Sequence, residues 1–162
     1  MFHPNGLCLF SALLFLYKTL KKLTKNDIKN IVILGFTPMI FGGFIYLISR
    51  PKTIFIFDWI RIIKLENASN TIRIFFAEYE FPNWVKYNLP DLLWVFSFTS
   101  VMLIIWKGID TKFKNVYVFL PLFIGIISEF LQYFNPKFGT FDIMDIVFYS
   151  LGSIISISIL KQ

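Results

Sequence analysis

Apolar residues dominate four stretches of the chain, each close to the roughly 20 residues that a membrane-spanning helix needs. Residues 31–49 contain no charge at all. Residues 89–106 carry one charge near their start, Asp91, and residues 117–134 carry one in their interior, Glu129. Residues 141–160 hold Asp142 and Asp145 in what would be their first turns. The pattern predicts an all-α membrane protein, a bundle of about four transmembrane helices forming a single membrane domain over residues 1–162. A further apolar stretch, residues 6–17, is short for a span. It fits a half-inserted helix, a fifth span or a signal-like segment, although no small-residue cleavage pattern follows it.

Between the first two runs lies a long segment, residues 50–88. Within residues 53–65 the polar side chains Asp58, Arg61 and Lys64 recur every three positions in otherwise apolar sequence. On a helix this is a narrow polar stripe, with Asp58 and Arg61 near enough to pair. Such a helix is expected to lie in the membrane interface, apolar side down. A fifth span interrupted by three charges would be costly. Phe81, Pro82, Asn83, Trp84 and Tyr87 then supply turn residues and interfacial aromatics before the next span.

Composition reinforces the pattern. Of the 162 residues, 56% are apolar and 16% charged, against roughly 45–50% and about 25% in an average soluble domain. The net charge of +6 raises nucleic acid as a partner, but such a partner needs basic residues gathered on one face. Here they flank the apolar runs instead. Lys18, Lys21, Lys22, Lys25 and Lys29 precede the first, and Lys107, Lys112 and Lys114 separate the second from the third. The positive-inside rule puts both loops, and the C-terminus after Lys161, in the cytoplasm. Residues 50–88 and 135–140 then face outward, and no nucleic-acid partner is expected. Cys8 and His3 are the only cysteine and histidine. An intrachain disulfide is therefore impossible, and a Cys/His zinc site or a Ser-His or Cys-His pair is not expected.

The acids become informative on this topology. Asp91 sits near the outer end of the second span, and Asp142 and Asp145 at the outer end of the fourth. Glu129 lies five residues before the outer end of the third, about 7–8 Å deep at ~1.5 Å per residue. All four sit at similar depth under the outward face. Glu129 and Gln132 are three apart on one helix face, while Asp142, Asp145 and Tyr149 fall on one stripe of the next helix that Gly152 continues. Gly152 and Ser156 form a small-xxx-small pair that lets a neighbouring helix come close. Thr140 as an N-cap, with first-turn acids complementing the helix dipole, accounts for some of these residues. It does not account for Glu129, which stands in the C-terminal half of its helix and must there be neutral, paired or coordinating something.

Residues 128–156, SEFLQYFNPKFGTFDIMDIVFYSLGSIIS, resemble the VanZ-like family of small membrane proteins. The shared pattern is a Glu and a Gln three apart, Phe and Pro, a short loop, Asp, and small residues in the last helix. Glu129, Gln132, Phe134, Pro136, Asp142, Asp145 and Gly152 fall into it, and Asp91 is similar to the family's acid at the start of an earlier helix. Tyr149 stands where the family has Asn, Leu92 and Val95 where it has Lys and His, and its loop Arg has no counterpart. The family is named for a role in resistance to a glycopeptide antibiotic. The resemblance implies an integral membrane protein of the bacterial cell envelope, in the plasma membrane. Its outward polar pocket, comprising Glu129, Gln132, Asp142, Asp145, Tyr149 and Asp91, is expected to bind a lipid headgroup, a cell-wall precursor or a partner protein. Membrane lipid and other membrane subunits are the expected partners, with no cofactor and no resident metal. Two alternatives are an intramembrane enzyme on a lipid-linked substrate, its acids acting as base or cation ligands, and a structural subunit of a larger complex.

Overall fold

The computed structural model describes residues 23–52, 56–109, 111, 113–135 and 140–160. Those residues form seven helices and no strand: α1 (Lys25–Ser49), α2 (Ile56–Ile62), α3 (Glu66–Phe75), α4 (Asn83–Tyr87), α5 (Leu89–Ile105), α6 (Lys114–Phe134) and α7 (Ile143–Leu160). The apolar stretch 6–17 lies outside the described residues.

Local chemistry sets the ends of α1. It begins at Lys25, six residues before the apolar run, because Thr24 and Asp27 make a reciprocal capping box: the Thr24 N–H donates to Asp27 Oδ2 at 3.0 Å, and the Asp27 N–H to Thr24 Oγ1 at 3.2 Å. Residues Ile31–Phe36 are wound as a π-helix. The helix stops before Pro51, whose ring disfavours helical geometry at Arg50, and Arg50 is extended there with φ −89° and ψ 150°.

The helix ends also explain why the segment after α1 differs from the sequence expectation. Asp58 and Arg61 pair at 3.4 Å, as their spacing suggests, but α2 is only seven residues long and excludes Lys64. Lys64 adopts φ 60° while its N–H donates to Arg61 O and that of Leu65 to Ile60 O. This is a Schellman C-cap, so the three-residue stripe never runs its full length. α3, not anticipated from the pattern, follows. Arg73 near its C-terminal end donates to two carbonyls at the end of α1, Leu47 O and Arg50 O (2.7 Å for the latter). A cation on unpaired C-terminal carbonyls satisfies both hydrogen bonding and the helix dipole.

α5 is the central helix. It runs antiparallel to α1, with pairs along its length from Arg50 beside Tyr87, through Gly42 beside Pro90 and Gly35 beside Val101, to Asp27 bonded to Lys107 at 3.1 Å. It runs parallel to α7, where Asn88 meets Asp145, Gly152 meets Leu92 and Phe96, and Ser100 meets Ser156. This interface and the one between α1 and α5 are the two largest in the bundle. A Cβ on Gly152 would lie 2.5 Å from Leu92 O and 3.1 Å from Phe96 N, so the small-xxx-small pair works as its spacing suggests, with α5 as the partner. α6 packs antiparallel on α7, and Trp106 stacks on Tyr117 with centroids 4.6 Å apart where α5 hands over to α6.

Three helices, α1, α6 and α7, are long and apolar enough to cross a membrane. α5 has 17 residues, about 25 Å at ~1.5 Å per residue, which is short of a hydrocarbon core of about 30 Å. The polarity of the bundle is inverted relative to a water-soluble one. Ile40 is 70% exposed and Phe134 78%, whereas Ser97, Thr99, Ser100, Ser153, Ser156 and Glu129 are buried. An apolar exterior around a polar interior is what lipid as solvent selects.

Candidate functional site

α1 ends, α5 and α7 begin and α6 nears its end at one end of the bundle, and the acids collect there. Glu129 is 1% exposed. Gln132, one turn along α6, donates Nε2 to Glu129 Oε1 at 3.0 Å. The Tyr149 hydroxyl of α7 reaches the same oxygen at 3.3 Å. The backbone N–H of Asp142 donates to Oε2 at 3.2 Å. Three donors from two helices and a loop thus hold one carboxylate. A charged acceptor inside a bundle needs such compensation.

Gly125 is responsible for the reach of Tyr149. A Cβ at Gly125 would lie 2.9–3.1 Å from three atoms of the Tyr149 ring, so the missing side chain lets the ring lie across α6 and point its hydroxyl at Glu129, one turn further on. Asp145 is fixed separately, by Asn88 Nδ2 at 2.7 Å. Asn88 is buried just before α5, and it joins the start of that helix to the start of α7.

The other two acids behave differently. Asp142 is exposed, and its Oδ1 accepts from the Met144 N–H at 2.8 Å. It is the N-cap of α7, and only its main chain enters the site. The stripe drawn through Asp142, Asp145 and Tyr149 assumed helix from residue 141, whereas α7 begins at Ile143. Asp91 is half-buried in the first turn of α5, and its carboxylate accepts no hydrogen bond from a described residue. It lies within electrostatic reach of Asp145 and Glu129, and also of Arg50. It faces a neighbouring groove between α1 and α5.

Structure therefore joins Glu129, Gln132 and Tyr149 directly, sets Asp145 beside them, and leaves Asp91 at the edge. It adds Asn88, Gly125 and Arg50. The Arg50 guanidinium lies over the rings of Tyr46 and Tyr87 at 5.2 and 4.9 Å and donates to Tyr87 O at 3.4 Å. Among the described residues no group of three or more acids, histidines or cysteines converges as a metal ion would require.

The site defines a class: described residues that are all helical, with three helices long and apolar enough to cross a membrane and a hydrogen-bonded acid cluster beneath one end. No family model matches the chain, and neither a curated protein nor a solved structure does.

Proposed function

We propose that the chain is a VanZ-like multi-pass protein of a bacterial plasma membrane, with α5 as a fourth span beside α1, α6 and α7. Its acid cluster binds the polar head of a membrane lipid or lipid-linked wall precursor from the outer leaflet. The observation that carries this reading is Glu129: a carboxylate 1% exposed inside an apolar helix, with donors from Gln132, Tyr149 and the Asp142 main chain placed around it. Ionisable groups are expensive at that depth and mark functional sites. Asp145 and Asp91 extend the acidic surface toward the membrane flank, where a headgroup would arrive.

Catalysis on a lipid-linked substrate is the second reading. It is favoured by one contact, the Tyr149 hydroxyl donating to Glu129 Oε1 at 3.3 Å, a hydroxyl and a carboxylate side by side. The readout that separates the two is complementation of a deletion strain under envelope stress, with expression checked by solubilised yield. Glu129→Gln keeps shape and removes charge, and is expected to abolish complementation at normal yield. Tyr149→Phe removes one of three donors and is expected to weaken binding by about 0.5–1.5 kcal/mol, a loss that leaves partial function. Complete loss in Tyr149→Phe at normal yield would transfer the case to catalysis. Full complementation by a Glu129→Gln, Asp145→Asn double variant would reject the pocket.

A further inference from the structure

Below Arg50 the facing sides of α1 and α5 do not close. Gly43 leaves a gap on α1, and with Tyr46, Pro90, Trp94 and Ile60 of α2 it lines a groove of about 550 Å³. That is the size of a small-molecule site, typically ~300–1,000 Å³. The groove extends down α1 as far as Met39, eleven residues or about 16 Å from Arg50 at ~1.5 Å per residue. Its lining side chains are apolar apart from the Tyr46 hydroxyl, the Trp94 indole N–H and the carboxylate of Asp91.

Two charges stand at or beside this groove: Asp91, which lines it, and Arg50, which stacks on the lining residue Tyr46 and donates one hydrogen bond to Tyr87 O at 3.4 Å. Asp91 accepts no hydrogen bond from a described residue, and among the described residues Arg50 makes no ion pair. Arg50 is held there by the rings of Tyr46, itself a groove residue, and Tyr87. A cation and an anion above an apolar slot complement a ligand with a phosphate, a primary ammonium and a hydrocarbon chain. The surrounding solvent of a membrane bundle supplies such molecules. An anionic headgroup without an amine would meet Asp91 with Asp145 and Glu129 close behind it, and like charges repel.

We propose that this groove is a binding site for one aminophospholipid, its chain along α1, its phosphate on Arg50 and its ammonium on Asp91. The proposal rests on the reading that the acid end receives a headgroup, and adds which lipid and where its tail lies.

Gly43 provides the test, because a Cβ there meets nothing within 4 Å. Gly43→Ala should fold and keep the lipid, whereas Gly43→Phe should fold and fill the slot. Native mass spectrometry of purified full-length protein would compare dioleoyl phosphatidylethanolamine, phosphatidylglycerol and phosphatidylcholine at equal mole fraction. One phosphatidylethanolamine should stay bound, retention should fall about tenfold in Gly43→Phe, Asp91→Asn should erase the preference over phosphatidylcholine, and Arg50→Gln should lower the retention of both lipids, whose phosphates are the same. Equal retention of the three lipids, or unchanged retention in Gly43→Phe, overturns the site. Loss in Gly43→Phe with retention in the Glu129→Gln, Asp145→Asn double variant keeps the groove and removes the headgroup reading of the inner cluster. A second measurement leaves the groove unaltered: with Trp59, Trp84 and Trp106 replaced by Phe, chain-brominated phosphatidylethanolamine should quench Trp94 more than brominated phosphatidylcholine. Equal quenching would count against the proposal.

Discussion

Serine hydroxyls divide sharply by environment in this bundle. Ser150 and Ser158 donate to the carbonyls of Ile146 and Ile154 in their own helix, each at 2.8 Å. In the interior, Ser100 and Ser156 bond to each other at 2.9 Å, while the hydroxyls of Ser97, Thr99 and Ser153 are buried without a partner among the described residues. An interhelical hydrogen bond in a membrane contributes about 0.6 kcal/mol on average and up to ~1.7. Ser100→Ala should therefore destabilise by about that much in a detergent unfolding titration, whereas Ser97→Ala and Ser153→Ala should be neutral or slightly stabilising, because each deletes a donor that bonds to no described residue. Equal losses for all three would mean that packing rather than hydrogen bonding sets the cost. At this scale the sequence was informative where a residue broke its local rule. Glu129 stood out as an acid in the wrong half of an apolar helix, and it is the hub of the site. Arg50 and Asn88 broke no rule. Each looks like an ordinary residue at a helix edge, and only a partner 57 positions away makes Asn88 part of the site.

Helix positions were legible from hydrophobic runs, but helix pairing came from features a run does not contain. The central place of α5 depends on Gly35 and Gly42 of α1 and Gly152 of α7 letting three backbones approach. Gly152 is the most constrained of them, since the atoms facing it, Leu92 O and Phe96 N, are main chain and cannot rotate away. Gly152→Ala must push α5 and α7 apart, at a cost of about 1–3 kcal/mol, the usual range for overpacking. It should lower the melting temperature and, through the displacement of α7, loosen the Asn88–Asp145 bond. Gly43→Ala is the control, expected to be neutral or stabilising by up to ~1 kcal/mol as a helix-interior glycine replaced by alanine. A Gly152→Ala protein that melts with its parent would mean the two helices slide freely. α3 was missed for the opposite reason. Asn67, Ser69, Asn70 and Thr71 are modest helix formers, and the segment is tied down by tertiary contacts: Arg73 on the α1 carbonyls, with its guanidinium 5.1 Å from the centre of the buried Phe57 ring. Composition alone cannot announce a helix that another helix's end holds in place.

Across the whole molecule, charge is sorted toward two ends. Lys25, Lys29, Lys107 and Lys114 gather where α1 and α6 begin and α5 finishes, and there Lys107 bridges to Asp27 of α1. Arg50, Asp91, Asp145 and Glu129 lie at the other end, a helix length away. With an apolar belt between, the lysine end is the one expected to remain in the cytoplasm, because lysines in short loops resist translocation. The helices carrying basic and acidic ends are packed as one bundle through α5, so orientation is a single property of the whole and two positions suffice to read it. In a Cys8-free background, a cysteine at Asn70 in α3 should react with a membrane-impermeant maleimide on intact cells, and one at Lys114 only after permeabilisation. Labelling at Lys114 without labelling at Asn70 would invert the bundle. It would put the acid cluster under the inner leaflet, and the proposed headgroup would then have to come from the cytoplasmic lipid pool. Labelling at both positions in intact cells would mean that these helices do not cross the membrane as one unit, and would remove the basis for calling any end of the bundle outward.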